Sequence, residues 1–207
     1  GAEVYAYTLL KYLQDAGHKV TVLTQPKMGK DPYEYKGLTV RTDPNLTDEL
    51  YSESDYVMTQ IAYSAKVRDL CKRKGKKMIY LVHNKQSIPF WGIKPEDCWL
   101  AVYNSAWVRK FLHEEGKWQA KREFLLYPPV MYDQYTIPPE EDTQKSHVTL
   151  VNLGMNKGIL TFVQAAKMLP DVPFLGVVGA YSDQHTEGLP KNVTVVQHTT
   201  NMLEDVY

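Results

Sequence analysis

A lysine and a glycine stand together at Lys157-Gly158, with Gly154 just ahead of them, inside the segment VTLVNLGMNKGILTFVQAAKMLPDVPFLGVVG that runs from Val148 to Gly179. The segment reads as strand, short loop, helix, turn, strand and glycine. At such a strand-to-helix loop, backbone N–H groups and the helix dipole favour an anion, and a lysine adds a full charge, so a phosphate is one reading. A solvated loop lysine beside a turn glycine is the other, and the spacing leaves both open. His83 ends the apolar run MIYLV and is followed by Asn84. That position is the carboxyl edge of a sheet, where open α/β folds bind ligands. An imidazole there can bond a hydroxyl or shuttle a proton, or simply satisfy loop carbonyls. Gly1-Ala2-Glu3 at a helix start could turn exposed N–H groups toward a phosphate, or be no more than a permissive opening.

The basic run Lys72-Arg73-Lys74-Gly75-Lys76-Lys77 suits anionic lipid headgroups, or else a helix C-terminus with solvated cations. Trp107, Phe111 and Trp118, set among Arg109, Lys110, Lys117, Lys121 and Arg122, could add an interfacial surface. His198 follows a strand in the second half and carries a weak expectation of a role. His18, His113, His147 and His185 carry none. The sequence shows no Ser/His/Asp arrangement, no zinc spacing and no GxGxxG.

The elements that must position these residues follow from periodicity. Ala2, Tyr5, Ala6, Leu9, Leu13 and Ala16 share one helical face, Gly17 is a C-cap, and residues 19–24 read as a strand. The pattern recurs with strands at 55–61, 78–82, 99–103 and 123–127, and helices at 62–74, closed by Gly75, and 106–115, capped by Ser105. Short apolar strands alternating with helices predict a parallel sheet covered on both faces. Tyr127–Gln144 holds two Pro-Pro pairs and the acidic run Glu140-Glu141-Asp142, the composition of a linker. A second αβ series follows: a strand within 147–153, a helix at 159–169, strands at 174–178 and 193–196, and a helix start near Met202. The expected domains are therefore 1–136 and 137–207.

The 207 residues carry 24 Lys+Arg against 24 Asp+Glu with 43% hydrophobic content, an ordinary globular composition. The balance is uneven, net +4 over residues 1–136 and −4 over 137–207, and it argues against a nucleic-acid partner. Two isolated cysteines form no disulfide framework and point to a reducing, cytoplasmic compartment. No apolar run is long enough to span a bilayer and no signal peptide is visible. The chain starts already on a helix and stops one turn after Asn201, so it reads as a piece of a longer polypeptide.

Four segments together resemble the retaining, GT-B-fold glycosyltransferases of glycosyltransferase family 4. GAEVYAYTLLKYLQDAGHKVTVLT is similar to the family's glycine-rich opening helix and second strand, and IYLVHN to the strand ending in the acceptor-domain histidine. WLAVYNSAWVRKFL with LLYPPV is similar to the asparagine-serine helix and the strand into the interdomain linker. VTLVNLGMNKG, FLGVVGAY and NVTVVQHTTNMLEDVY are similar to the start of the donor domain.

The resemblance implies an α/β protein of GT-B type with two Rossmann-like domains of parallel sheets. The acceptor-side domain, 1–136, would lack its first strand, and the nucleotide-sugar domain, 137–207, would be incomplete. It implies transfer of a sugar from a UDP- or GDP-linked donor to a glycan or lipid-linked acceptor, with retention, no bound metal or other cofactor, and a cytoplasmic place peripheral to the membrane. His83 would be the catalytic-centre residue. Lys157, Gly158 and Gly1 would hold the donor diphosphate, and Gly179, Gln197 and Thr199 would lie on the base side. Two departures stand out. The family's loop arginine before the lysine is replaced by the stretch Asn152-Leu153-Gly154, and the paired-glutamate motif expected just past Tyr207 is absent, so the piece alone is expected to be inactive. A sugar-nucleotide epimerase on the same scaffold and a non-catalytic carbohydrate- or nucleotide-binding module are the alternatives.

Overall fold

The computed structural model describes residues 2–24, 32–43, 49–85, 92–131 and 146–199, with Met202 and Val206. Gly1, the acidic run and most of the expected linker lie outside the described residues. The chain divides into two compact units, Gly1–Val130 and Met131–Tyr207.

The first unit opens with α1 (Ala2–Asp15), then β1 (Thr21–Thr24), β2 (Tyr33–Tyr35), β3 (Leu38–Thr42) and the short helix α2 (Leu50–Glu53). β1 runs parallel to β3, but β2 is antiparallel to it. This hairpin departs from the wholly parallel expectation. Its two-residue turn, Lys36-Gly37, has φ of 46° and 82°, the left-handed pair that matches the twist of antiparallel strands.

The remaining strands of this unit are β4 (Tyr56–Gln60), β5 (Lys77–Val82), β6 (Leu100–Tyr103) and β7 (Glu123–Leu125). They form one sheet in that order, parallel throughout. β5 and β6 are almost uninterrupted apolar runs, as strands need to be when helices cover both faces. Successive side chains alternate. Met78, Tyr80, Val82, Ala101 and Tyr103 therefore enter one core, and Ile79, Leu81, Leu100 and Val102 the other. Helix α1 lays Tyr5 and Leu9 on the second set. Helices α3 (Ser64–Lys74) and α4 (Ala106–Glu114) bring Val67, Leu70, Val108 and Leu112 to the first.

The caps explain where these helices begin and end. Ser105 Oγ accepts the Val108 N–H at 3.2 Å, as its position before the apolar run predicts. Gly75 ends α3 in the left-handed region, φ 63°, and Lys76 N–H closes back on Cys71 O at 2.8 Å. The start of α3 differs from expectation. The strand stops at Gln60, Ile61 takes φ 54°, and a 3₁₀ turn over Ile61–Tyr63 precedes the helix. A β-branched residue in that conformation is strained.

Leu112 is 1% exposed in this core. Leu112→Ala is expected to cost about 2–5 kcal/mol, through lost transfer energy and a residual cavity. Urea unfolding followed by tryptophan fluorescence checks it, since all four tryptophans lie in the first unit. The buried thiols of Cys71 and Cys98 are pushed up to about 11 and about 12 by desolvation, Cys98 also by nearby carboxylates, so both stay protonated packing groups.

The second unit holds β8 (Val148–Val151), α5 (Ile159–Met168), β9 (Phe174–Val177) and β10 (Val193–Val196), the strands parallel in the order β10-β9-β8. Helix α5 packs Ile159, Phe162 and Ala166 on the sheet, with Phe162 edge-on to Phe174 at 5.3 Å. Its C-terminal carbonyls need outside donors. Asn192 supplies them, its amide reaching Ala166 O, Leu169 O and Val172 O at 2.9–3.1 Å. At the expected helix start Val206 N–H donates to Met202 O at 3.1 Å; the residues between them lie outside the described residues.

Candidate functional site

In the first unit, polar residues stand where the parallel strands end. Gln60 ends β4, His83 follows β5 and Asn104 follows β6. His83 Nε2 lies 2.7 Å from Gln60 Oε1. With an amide oxygen as partner, Nε2 carries the proton and Nδ1 is the acceptor. The Tyr5 ring of α1 meets the imidazole edge-on at 5.2 Å. Asn104 Nδ2 donates to His83 O at 2.8 Å and Asn104 N–H to Val82 O at 3.3 Å, which ties the start of α4 to the histidine. The buried Asn104 Oδ1 has no hydrogen-bond partner among the described residues, an acceptor that calls for water or ligand.

Burial holds the His83 imidazole below the ordinary histidine value, and the Glu3 carboxylate opposes this in part. The ring is therefore neutral at pH 7, the form in which an imidazole can accept a proton. Because the folded-state value is depressed, His83 contributes stability that is fully present above about pH 6.5 and is lost as pH falls toward the folded value. Unfolding free energy of the wild type should thus drop more between pH 7 and pH 5 than that of His83→Gln. Equal pH slopes in denaturant titrations would count against it.

Sequence reasoning missed Gln60, although its place is equivalent to that of His83 one strand over. The strained Ile61 is its immediate neighbour. Conformational strain of that kind gathers at functional edges.

The second unit builds its own constellation where β8 and β9 end. Asn152, 6% exposed, continues the ladder by donating its N–H to Val177 O at 2.8 Å, then turns the chain with φ 72°. Its Oδ1 accepts from Gly154 N–H and from Gln184 Nε2, each at 3.0 Å. Gln184 Oε1 accepts from Leu153 N–H at 2.9 Å and Gly179 N–H at 2.7 Å. Gly179 is needed because a Cβ there would lie 2.5 Å from Asn152 Cγ. The two glycine-bearing loops are thus laced together by two amide side chains. Gly154 and Gly179 serve close packing, and the Gly154 N–H, beside the loop the sequence offered to an anion, is spent on this brace together with that of Gly179.

Beyond the brace, Met155–Lys157 forms a 3₁₀ turn and Gly158 starts α5 with φ 96°. Around Gly158 the space a Cβ would take is open to 4 Å. Lys157 is exposed, its Nζ 5.8 Å from the centre of the Tyr181 ring. Lys157 thus immediately precedes the N-cap of a ten-residue helix, whose N-terminus carries the positive end of the helix dipole. Past β10, Gln197 and His198 are exposed and Thr199 half-buried. Gly1 lies outside the described residues. The bracing roles of Asn152 and Gln184 and the place of Tyr181 beside Lys157 carried no sequence signal, because they depend on contacts across two loops.

The sequence-predicted membrane surface is altered by the structure. Lys72 pairs with Asp97 at 2.5 Å, Lys74 bonds Ser52 Oγ at 2.7 Å, and Lys76 bonds Ser52 O and Ser54 O. Lys77 lies over the Tyr56 and Trp99 rings. Much of the basic run is engaged within the unit. Trp118 is no surface anchor: it is 4% exposed and its Nε1 donates to Ile93 O at 2.8 Å. Trp107, 61% exposed and stacked on Phe111 at 5.5 Å, remains at the surface, with Lys85 Nζ over the Phe111 ring. No helix among the described residues is long and apolar enough to cross a membrane.

With this geometry in hand, comparison places the architecture. A crystal structure of a glycosyltransferase from Rickettsia africae matches 99% of this chain with a TM-score of 0.63. The fold is shared with a glycosyltransferase. Sequence identity is 16%, and the chain spans 66% of that protein's length. No family model and no curated protein matches in sequence. The expected α/β class with parallel sheets, GT-B-like, is the one found.

Proposed function

We propose that the chain belongs to a retaining glycosyltransferase, supplying its acceptor-side unit and the start of its nucleotide-sugar unit, with their boundary near residue 137. The fold likeness over 99% of the chain carries this reading. In it, the nucleotide diphosphate of a UDP- or GDP-sugar rests on Lys157 and the α5 N-terminus at Gly158, with Gly179, Gln197 and Thr199 on the base side. A neutral, oriented His83 bonds the transferred sugar or takes a proton near the reacting centre. The leaving diphosphate is stabilised by cation and helix dipole, an electrostatic role that needs no proton transfer. A glycan or lipid-linked acceptor fits the first unit, and the exposed Trp107, stacked on the half-buried Phe111 with Lys85 over that ring, supports a peripheral contact at a cytoplasmic membrane face.

A non-catalytic nucleotide-binding module is the second reading, favoured by one observation. Asn152 stands in the stretch where the resembled family has a second diphosphate cation, and it is committed to the brace. Mass-spectrometric screening of the polypeptide carrying this chain against a panel of UDP- and GDP-sugars separates the two. Sugar transfer supports the first reading; nucleotide binding without turnover supports the second.

A further inference from the structure

We propose that Asn152 and Gln184 are positioning residues that set the loop bearing Tyr181 and, through that ring, direct Lys157 toward a bound nucleotide diphosphate. The proposal rests on the functional reading above and extends it to residues that never touch the ligand.

The geometry runs in one direction. Asn152 holds a left-handed conformation that asparagine tolerates better than most residues. Its side chain is thereby turned back over Gly154 and Gly179, where no Cβ could be accommodated beside it without displacement. Gln184 then spends both ends of its amide. Its oxygen takes the Leu153 and Gly179 N–H groups, and its nitrogen donates to Asn152 Oδ1, to Tyr181 O at 2.9 Å and to Ser182 O at 3.2 Å. His185 N–H adds a bond to Leu153 O at 3.1 Å. The 179–185 loop is thus fixed against the 152–158 loop at several points. Ser182, with φ 69°, turns the chain between them. Tyr181 is carried on this fixed loop, and its ring is the aromatic face beside the Lys157 ammonium. An exposed lysine on a four-carbon stem is otherwise free to sample many rotamers, and that freedom is lost on binding. A preset ring narrows the choice before a ligand arrives.

Calorimetric titration of UDP and of GDP into the polypeptide carrying this chain tests this, with thermal melting of each variant as a control for folding. Asn152→Gly removes the amide while keeping a residue that tolerates the backbone angle. That variant and Gln184→Ala should each weaken binding about tenfold, the loss expected when one charged contact is mispositioned. In a Lys157→Ala background, Gln184→Ala should weaken binding no further, because the route through Lys157 is already gone. Tyr181→Phe, which keeps the ring, should bind as the wild type does, and Tyr181→Ala should not. A Gln184→Ala variant that binds normally, or that weakens the Lys157→Ala protein by the same factor as the wild type, overturns the positioning role while leaving the functional reading standing. A wild type that binds neither nucleotide overturns both.

Discussion

His83→Ala is expected to reduce sugar transfer by the polypeptide carrying this chain by about 10²–10⁴-fold, the range for losing a positioned proton-transfer group. The case rests on three features acting at one ring. Burial keeps the imidazole neutral, Gln60 Oε1 fixes its tautomer, and Tyr5 packs against it. A side chain held this firmly at a sheet's carboxyl edge is prepared for one interaction. Gln60→Ala should then give a smaller loss, because the histidine remains but its orientation is no longer enforced. Both variants should keep the urea midpoint of the wild type to within the effect of one lost hydrogen bond, about 1 kcal/mol. A His83→Ala enzyme within tenfold of wild type in kcat would remove the histidine from the mechanism.

The second large effect belongs to Lys157→Ala, which should lower kcat by about 10²–10³-fold, the scale reported for deleting one preorganised charge-stabilising donor. The reason lies in what surrounds the lysine. N–H groups of Leu153, Gly154 and Gly179 are occupied by amide side chains, and no arginine stands at Asn152. On the proposed function, the leaving diphosphate would thus depend on Lys157 and the α5 N-terminus. Charge developing on departure makes the loss larger in kcat than in KM. Steady-state kinetics with Lys157→Ala and Lys157→Arg measures the split: Arg should recover part of kcat, and equal losses in both variants would point to a role in packing.

How much of this was legible in the sequence depended on range. Strand β5, the Ser105 cap, the Gly75 stop and helix α5 follow from local apolar runs and cap chemistry, and the structure holds them to within a residue or two. The hairpin over residues 33–42 escaped because its signal is a Lys-Gly turn, weaker than the Asn-Gly pair that announces such turns. Ile61 escaped because nothing in an isoleucine predicts a positive φ. At the candidate sites, His83 and Lys157-Gly158 could be found from their places after strands. Their partners could not. Gln60 lies 23 residues from His83, and Gln184 lies 32 from Asn152. The meaning of Gly179 is visible only against the Asn152 side chain. Trp118 misled for the opposite reason: a tryptophan among basic residues reads as interfacial, yet its indole N–H finds a buried carbonyl.

The claim on which everything else depends is that a nucleotide diphosphate binds at the start of α5. Amide NMR of the polypeptide carrying this chain during titration with UDP, GDP and inorganic pyrophosphate tests it directly. All three should shift the amides of Lys157, Gly158 and Ile159 along with those of the Tyr181 loop, and Lys157→Ala should suppress those shifts. Shifts absent from these amides, or unchanged in Lys157→Ala, would contradict the claim.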